Sequence, residues 1–236
     1  MATAGGLPKY MQISERLIRQ IAAGHLADGA RLPPERDMAA ETGISVGTLR
    51  KALADLEEKG LLERIQGSGN YVRHKADVPS VYAMFRLELA GGGGLPTAEV
   101  LDVARLAKPS EAPGFGPDPE GHRIRRLRRL DGIAIAAEEI WLDGARAGRI
   151  DARTLPDSLY RYYREALGFE VGWAEDRVGL RALPGWAPEE VGPPRPMGFI
   201  ERLSRDRAGE PVEYSLTWFD TDKARYISRM GMGYPG

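Results

Sequence analysis

The stretch Leu32–Val72 reads LPPERDMAAETGISVGTLRKALADLEEKGLLERIQGSGNYV, and its punctuation decides the N-terminal fold. Pro33-Pro34 can lead into a helix but cannot sit inside one, so Glu35–Glu41 is predicted as a short helix behind that pair. Thr42-Gly43-Ile44 makes a tight turn, and Ser45 stands where a hydroxyl caps the next helix. That helix runs through Lys59 with Leu49, Leu53 and Leu56 on one face, and Gly60 ends it. Two short strands follow, Leu61–Ile65 and Asn70–Val72, joined by Gln66-Gly67-Ser68-Gly69, whose glycines suit a hairpin. Upstream, Tyr10, Ile13, Leu17 and Ile21 mark one face of a helix from near Pro8 to Gly24. Helix, helix, tight turn, helix and hairpin make a winged helix-turn-helix.

That geometry suits duplex DNA. The third helix can enter a major groove about 12 Å wide with its N-terminal residues facing base edges. Those residues are Ser45, Val46, Gly47, Thr48 and Arg50. Arg50 can fork onto guanine O6 and N7, Ser45 and Thr48 can donate hydrogen bonds, and Gly47 lets the backbones approach. Arg36 is placed for a phosphate or base, and Lys51 and Arg64 for phosphates. The hairpin Gly67, Ser68 and Gly69 can lie over the minor groove because it carries no bulk.

The same string resembles the DNA-binding head of the GntR family of bacterial transcription regulators. LPPER, Gly43-Ile44-Ser45, Thr48-Leu49-Arg50, Ala52-Leu53, Leu56, Gly60-Leu61 and Gly67-x-Gly69 carry the likeness. The resemblance implies that Arg36, Arg50 and Gly67 match positions that commonly touch operator DNA. Val46 departs from it, since arginine is frequent there; a valine can instead meet a thymine methyl.

Working outward, the 236 residues hold 33 Lys+Arg against 34 Asp+Glu, a net charge of −1 that on its face argues against a nucleic-acid partner. The balance is uneven. Residues 1–76 carry net +2 and residues 77–236 net −3, and 14 of the 17 prolines fall in the second part. A boundary is therefore expected between residues 76 and 77, with a linker at about 74–80. The absence of cysteine excludes disulfides, thiolate metal sites and cysteine nucleophiles. Only His25, His74 and His122 remain as imidazoles, and no cofactor is expected. No apolar run reaches the roughly 20 residues of a membrane helix, and Met1–Lys9 does not read as a secretory signal, so a cytoplasmic protein is expected.

Residues 77–236 read as a mostly antiparallel α+β domain. Strand-like segments are Val81–Leu89, Ala98–Leu106, His122–Leu130, Ile133–Leu142, Val171–Ala182, Met197–Ser204 and Val212–Phe219. Leu159–Leu167, ended by Gly168, is the best helix, with shorter ones at Pro188–Val191 and near Ala145–Ile150. Four landmarks, Arg126–Gly132, Ile135–Glu138, Asp157–Tyr160 and Glu210–Ser215, precede Asp222 in an order similar to the UTRA effector-sensing domain of the HutC subgroup. The resemblance implies a chorismate-lyase-like fold with a small-molecule pocket. It assigns to that pocket Arg126, Arg128, Glu138, Ser158, Tyr160, Glu213 and Phe219, with the loop at Phe85-Arg86. Arg126 and Arg128 alternate onto one strand face, an arrangement suited to a phosphate or carboxylate. Glu138 and Glu213 can accept hydroxyl or amine hydrogens, or pair with those arginines when the site is empty; Ser158 can cap the helix that follows. Ala137 and Glu139 depart from the subgroup's pattern, which puts a phosphosugar effector in question.

The expected protein is a homodimeric, ligand-responsive transcription regulator, a repressor, on a pseudo-palindromic operator, with a small anionic metabolite setting its DNA affinity. The rival is a lyase-like enzyme carrying a DNA-binding head. Against it stand the missing nucleophile and the missing carboxylate–histidine set, and Gly91–Gly94 lacks the Lys-Ser/Thr of a phosphate-binding loop. The chain is accordingly expected not to be an enzyme.

Overall fold

Pro8, at φ −50° and ψ +144°, stands just outside helical geometry, and helix α1 (Lys9–Ala22) starts directly behind it in a computed structural model that describes residues 7–75 and 80–229. Pro33-Pro34 likewise lead into α2 (Glu35–Glu41), whose last turn is closed by the Thr42 hydroxyl donating to the Met38 carbonyl at 2.6 Å. Gly43 takes φ +64°, and Ser45 caps α3 (Val46–Glu58) by accepting from the Thr48 amide at 3.1 Å. Leu49, Ala52, Leu53 and Leu56 are fully buried against Ile13, Leu17, Ile18 and Ile21 of α1, the core of the winged helix. Strands β1 (Leu62–Ile65) and β2 (Gly69–Val72) form the wing. The chain before α2 pairs with its inner side: the Leu32 amide donates to Asn70 O and the Val72 amide to Ala30 O, both at 2.9 Å.

α1 buries more than its apolar stripe. Glu15 and Arg19, on another side of the helix, are 1% and 8% exposed. Glu15 accepts from the Ser80 hydroxyl at 2.6 Å, and burial pushes its carboxyl up despite that bond and Lys59 nearby. Arg19 donates to the carbonyls of Gly94 (2.6 Å), Leu87 (2.5 Å) and Phe85 (3.5 Å). It thereby clamps the loop before and after strand β3 (Leu87–Leu89) onto α1. This corrects the expectation of a strand over Val81–Leu89. Residues 81–84 are a turn, because the Phe85 amide bonds back to Tyr82 O at 2.8 Å and only the last three residues extend.

The second unit is one six-stranded, wholly antiparallel sheet. Its strands are β4 (Pro96–Ala107), β5 (Glu120–Leu130), β6 (Ile133–Asp143), β7 (Val171–Ala182), β8 (Pro196–Asp206) and β9 (Pro211–Phe219). The spatial order β4-β5-β6-β9-β8-β7 is two three-stranded meanders joined along β6 and β9. Asp131, at φ +47°, and Gly132 make the tight β5–β6 turn. One face packs Ile124, Ile140 and Leu142 under Leu155, Leu159 and Tyr163; the other packs Leu127, Ala137, Phe199 and Trp218 under Val191. The helix expected over Leu159–Leu167 is a single α turn, α4 (Leu159–Tyr162), running into a wider π turn, Tyr163–Leu167, that Gly168 stops at φ +75°. Short 3-10 turns occupy Gly144–Arg146, Ala152–Thr154 and Glu189–Val191.

After β9 the chain forms β10 (Ala224–Tyr226), which pairs with β3, and Arg229 grips Glu88 through two bonds of 2.6 and 3.0 Å. The chain thus divides into compact units of residues 7–95 with those after Ala224, and Pro96–Ala224. That division falls beyond the boundary read from composition; residues 76–79 of the expected linker lie outside the described residues. Arg19→Met should cost the fold about 2–4 kcal/mol in a urea titration, because three carbonyls, two of them in buried contacts, lose a charged donor. A loss below about 1 kcal/mol would show that the clamp contributes little.

Candidate DNA-reading face and effector-facing sheet

Capping decides what the start of α3 presents. The Ser45 hydroxyl is occupied by the Thr48 amide and also lies 2.9 Å from the Thr48 hydroxyl, so both side chains are fixed beside an exposed helix end. Gly47, Arg50 and Lys51 are exposed and Val46 is half-buried. Arg36, one residue into α2, is exposed and makes no hydrogen bond or ion pair among the described residues. At the tip of the wing, Gly67 takes φ +75°, and the Ser68 amide closes the turn onto Ile65 O at 3.0 Å. The Ser68 hydroxyl is 2.6 Å from that of Tyr71, and Gly69, at φ +137°, leaves a Cβ only 3.0 Å from Arg31 Nε.

One residue of this region was not singled out in the sequence. Glu35, the first residue of α2, accepts from Arg50 Nε at 2.7 Å. Its other oxygen lies 3.9 Å from Arg64, whose Nε donates to Asn70 Oδ1 at 3.3 Å. Sequence spacing hides this, since 15 residues separate Glu35 from Arg50.

In the sheet, strand register gathers the expected effector residues. Arg126 stands opposite Glu138, and Glu138 opposite Thr217; Arg128 stands opposite Ala136, and Ala136 opposite Phe219. Alternation then puts Glu213 on the same face, four residues from Thr217 and so about 13 Å away along β9. Arg126 and Arg128 are 5% and 2% exposed, which rules out a solvated strand edge. They share one carboxylate: Arg126 Nη2 donates to Glu138 Oε2 at 2.8 Å, and Arg128 Nε lies 3.6 Å from Oε1. Both also donate to the Asp157 carbonyl, at 3.3 and 2.7 Å. Arg126 Nε is buried without a hydrogen-bond partner among the described residues. Phe219 lies over Gly198, where any Cβ would collide with its ring.

Glu213 sits in a second cluster under α4. Its carboxylate accepts from Tyr163 at 2.6 Å and from Tyr160 and Ser204 at 3.1 Å each. Burial outweighs those donors and raises the Glu213 carboxyl, and the Tyr160 and Tyr163 hydroxyls are pushed up by burial and by Glu213 itself. Arg202, held by Asp176 through bonds of 2.5 and 2.7 Å, faces the same cluster, and only the register of β8 reveals it. Ser158 caps α4 by accepting from Arg161 at 3.3 Å; with four residues, that helix offers the end of one turn only. Phe85 and Arg86 fall in the other compact unit, where the Arg19 guanidinium stacks 5.4 Å from the Phe85 ring.

A winged helix joined to a sheet with a buried arginine pair defines a DNA-binding regulator with a sensing domain. The comparisons agree. The sequence model of the gntR family of bacterial regulatory proteins matches residues 9–72, and that of the UTRA domain matches residues 92–225. The HTH-type transcriptional regulator SmoD of Agrobacterium fabrum is 58% identical over 97% of this chain and 98% of its own length. The HTH-type transcriptional repressor NagR of Bacillus subtilis is 25% identical over 95% of each chain. The crystal structure of YydK from Bacillus subtilis superposes with a TM-score of 0.55 at 22% identity, covering 95% of this chain and 100% of that one. The chain belongs to the GntR family of transcription regulators and carries a UTRA domain of the HutC type.

The raised Glu213 carboxyl sets a sign. The folded state holds its proton at pH values where the unfolded chain has already released it. This group therefore contributes less stability as pH climbs above the ordinary 4.5. Glu213→Gln keeps the hydroxyl acceptor and removes the charge, so its melting temperature should gain on the parent's as pH rises from 4.5 to 7. A difference that stays constant across that window would contradict a raised carboxyl.

Proposed function

We propose that this regulator is a homodimeric, cytoplasmic repressor whose effector is a small molecule bearing a phosphate or carboxylate. The observation that carries the effector chemistry is the arginine pair. Two buried guanidiniums share one carboxylate, and the Nε of one of them has no partner among the described residues. A buried charge without full compensation is costly, and an incoming anion relieves that cost. Glu138 holds the arginines while the site is empty; Ser158 and Phe219 bound the same region, and Tyr160 and Glu213 offer acceptors farther along the face. Two relatives are named as repressors, NagR and the mannosyl-D-glycerate transport and metabolism system repressor MngR of Escherichia coli, which supports the sign of regulation.

Operator reading falls to the residues around α3. Arg50 addresses a base, Val46 a neighbouring methyl, and Arg36 and Lys51 the phosphates. Ser45, Gly47 and Thr48 set the approach, and Gly67, Ser68 and Gly69 bring the wing to the minor groove. A dimer presents two such heads to half-sites about one helical turn apart. The sheet offers a surface for pairing: edge strand β7 is exposed along most of its length and carries Trp173, Val178 and Leu180 at 50%, 54% and 72% exposure. Effector binding shifts an existing equilibrium between DNA-competent and incompetent arrangements.

Arg50→Ala should cost about 1–3 kcal/mol of operator affinity and relax specificity at one base pair per half-site; equal weakening on all duplexes would remove Arg50 from base reading. Arg126→Ala should leave operator binding intact and abolish the thermal stabilisation that anionic metabolites give the parent protein. If such ligands stabilise both proteins equally, the arginine pair is not the anion site.

A further inference from the structure

We propose that Glu35 is a positioning residue for base recognition: it holds Arg50 by Nε so that the two terminal amino groups stay together as a fork for one guanine. This rests on the reading of Arg50 as a base-contacting residue. A guanidinium has five N–H groups, and a bidentate contact to guanine uses those on the two Nη atoms or on one Nη and Nε. Here Nε is already committed, at 2.7 Å, to Glu35 Oε2. The Nη groups make no hydrogen bond with the protein among the described residues, on a side chain that is 65% exposed. An arginine that exposed ordinarily samples many rotamers, and ordering it on binding costs conformational entropy. A carboxylate anchored at the start of α2 lowers that cost and fixes the plane of the fork.

The anchoring of Glu35 is itself built. It lies at the first turn of α2, whose N-terminal dipole favours a negative charge, and its exposure is only 22%. Its second oxygen faces Arg64 of the wing at 3.9 Å, so α2, α3 and β1 converge on one carboxylate. A negative charge on a face that meets phosphates weakens non-specific attraction. Glu35 therefore trades general affinity for selectivity.

The test uses the full chain and a duplex that it selects from a random pool, together with that duplex changed at each base pair in turn and an unrelated duplex. Glu35→Gln should lose about fivefold or more of the discrimination at the base pair that Arg50→Ala also affects. It should bind unrelated DNA equally well or a few-fold more tightly, with an unchanged unfolding temperature. Glu35→Asp keeps the charge but falls short of Nε, so it should lose the same discrimination with no change on unrelated DNA. In an Arg50→Ala background, either change at Glu35 should alter discrimination less than twofold. Three results overturn the proposal while leaving Arg50 as a base reader. The first is discrimination unchanged in Glu35→Gln, and the second is an effect at a different base pair that persists without Arg50, which would make Glu35 itself the reader. The third is uniform weakening with a lowered unfolding temperature, which would make it structural. If Arg50→Ala is itself unselective, the base reading falls and this inference with it.

Discussion

Antiparallel register is the constraint on which the sensing unit depends. In a strand pair, side chains directly opposite share a face, so one fixed pairing, Arg126 with Glu138 and Glu138 with Thr217, phases every other residue of the sheet. A slip of one residue would turn both arginines out and bring Arg125 and Leu127 in. Ionic pairing reinforces the register on both sides, since Arg125 on the opposite face bonds Glu139 at 2.7 Å, directly across from it. The shared carboxylate of Glu138 is therefore a structural pin as well as part of the candidate site. Buried pairs of this kind are weak sources of net stability, but breaking one is costly because it leaves a charge unpaired in a low dielectric.

Most of the head was legible in the sequence because its signals are local. The Pro33-Pro34 entry, the Ser45 cap and the Gly60 stop each act within a few residues, and α2 runs over Glu35–Glu41 as read. The strands of the sheet were legible for the same reason, through alternation. What escaped was non-local. Nothing in the periodicity of α1 distinguishes Arg19, which holds three carbonyls some 70 residues away, from an arginine in solvent. Glu35 and Arg202 escaped likewise, one meeting its partner across two helices and the other held by Asp176 of β7 and brought beside Glu213 by the pairing of β8 with β9. The gathering of Arg126, Arg128 and Glu138 was readable, whereas the distance from them to Glu213 was not, because it depends on which strands neighbour one another. The expected helix keeps its span and its Gly168 stop; what the sequence did not show is that it widens into a π turn from Tyr163, and that Tyr160 and Tyr163, three residues apart on one face, both reach Glu213.

The charge of the chain is also resolved by structure rather than by counting. A net of −1 conceals a head with a modest positive excess, and even there several cations are spent internally. Arg19 is buried, Arg73 is paired with Glu63, and Lys59 bonds Asp55 at 2.6 Å. What remains around α3 is a few placed groups, Arg36, Arg50 and Lys51, rather than a broad basic field. Attraction to DNA built that way is short-ranged and depends on alignment, which favours selectivity over capture at a distance.

The clamp made by Arg19 carries a lesson about modularity. A winged helix is usually regarded as a portable reading head, to be cut at the linker and joined to any sensor. Here chain segments that flank the sensing sheet in sequence, the loop through Gly94 and the residues from Arg225 onward, belong to the head's own unit. A head severed near residue 76 would keep Glu15 and Arg19 but lose Ser80 and the carbonyls that satisfy them. Exchange of sensors between such regulators is therefore constrained at two seams of the chain rather than one, and the head inherits part of its stability from the very sequence that flanks the sensor.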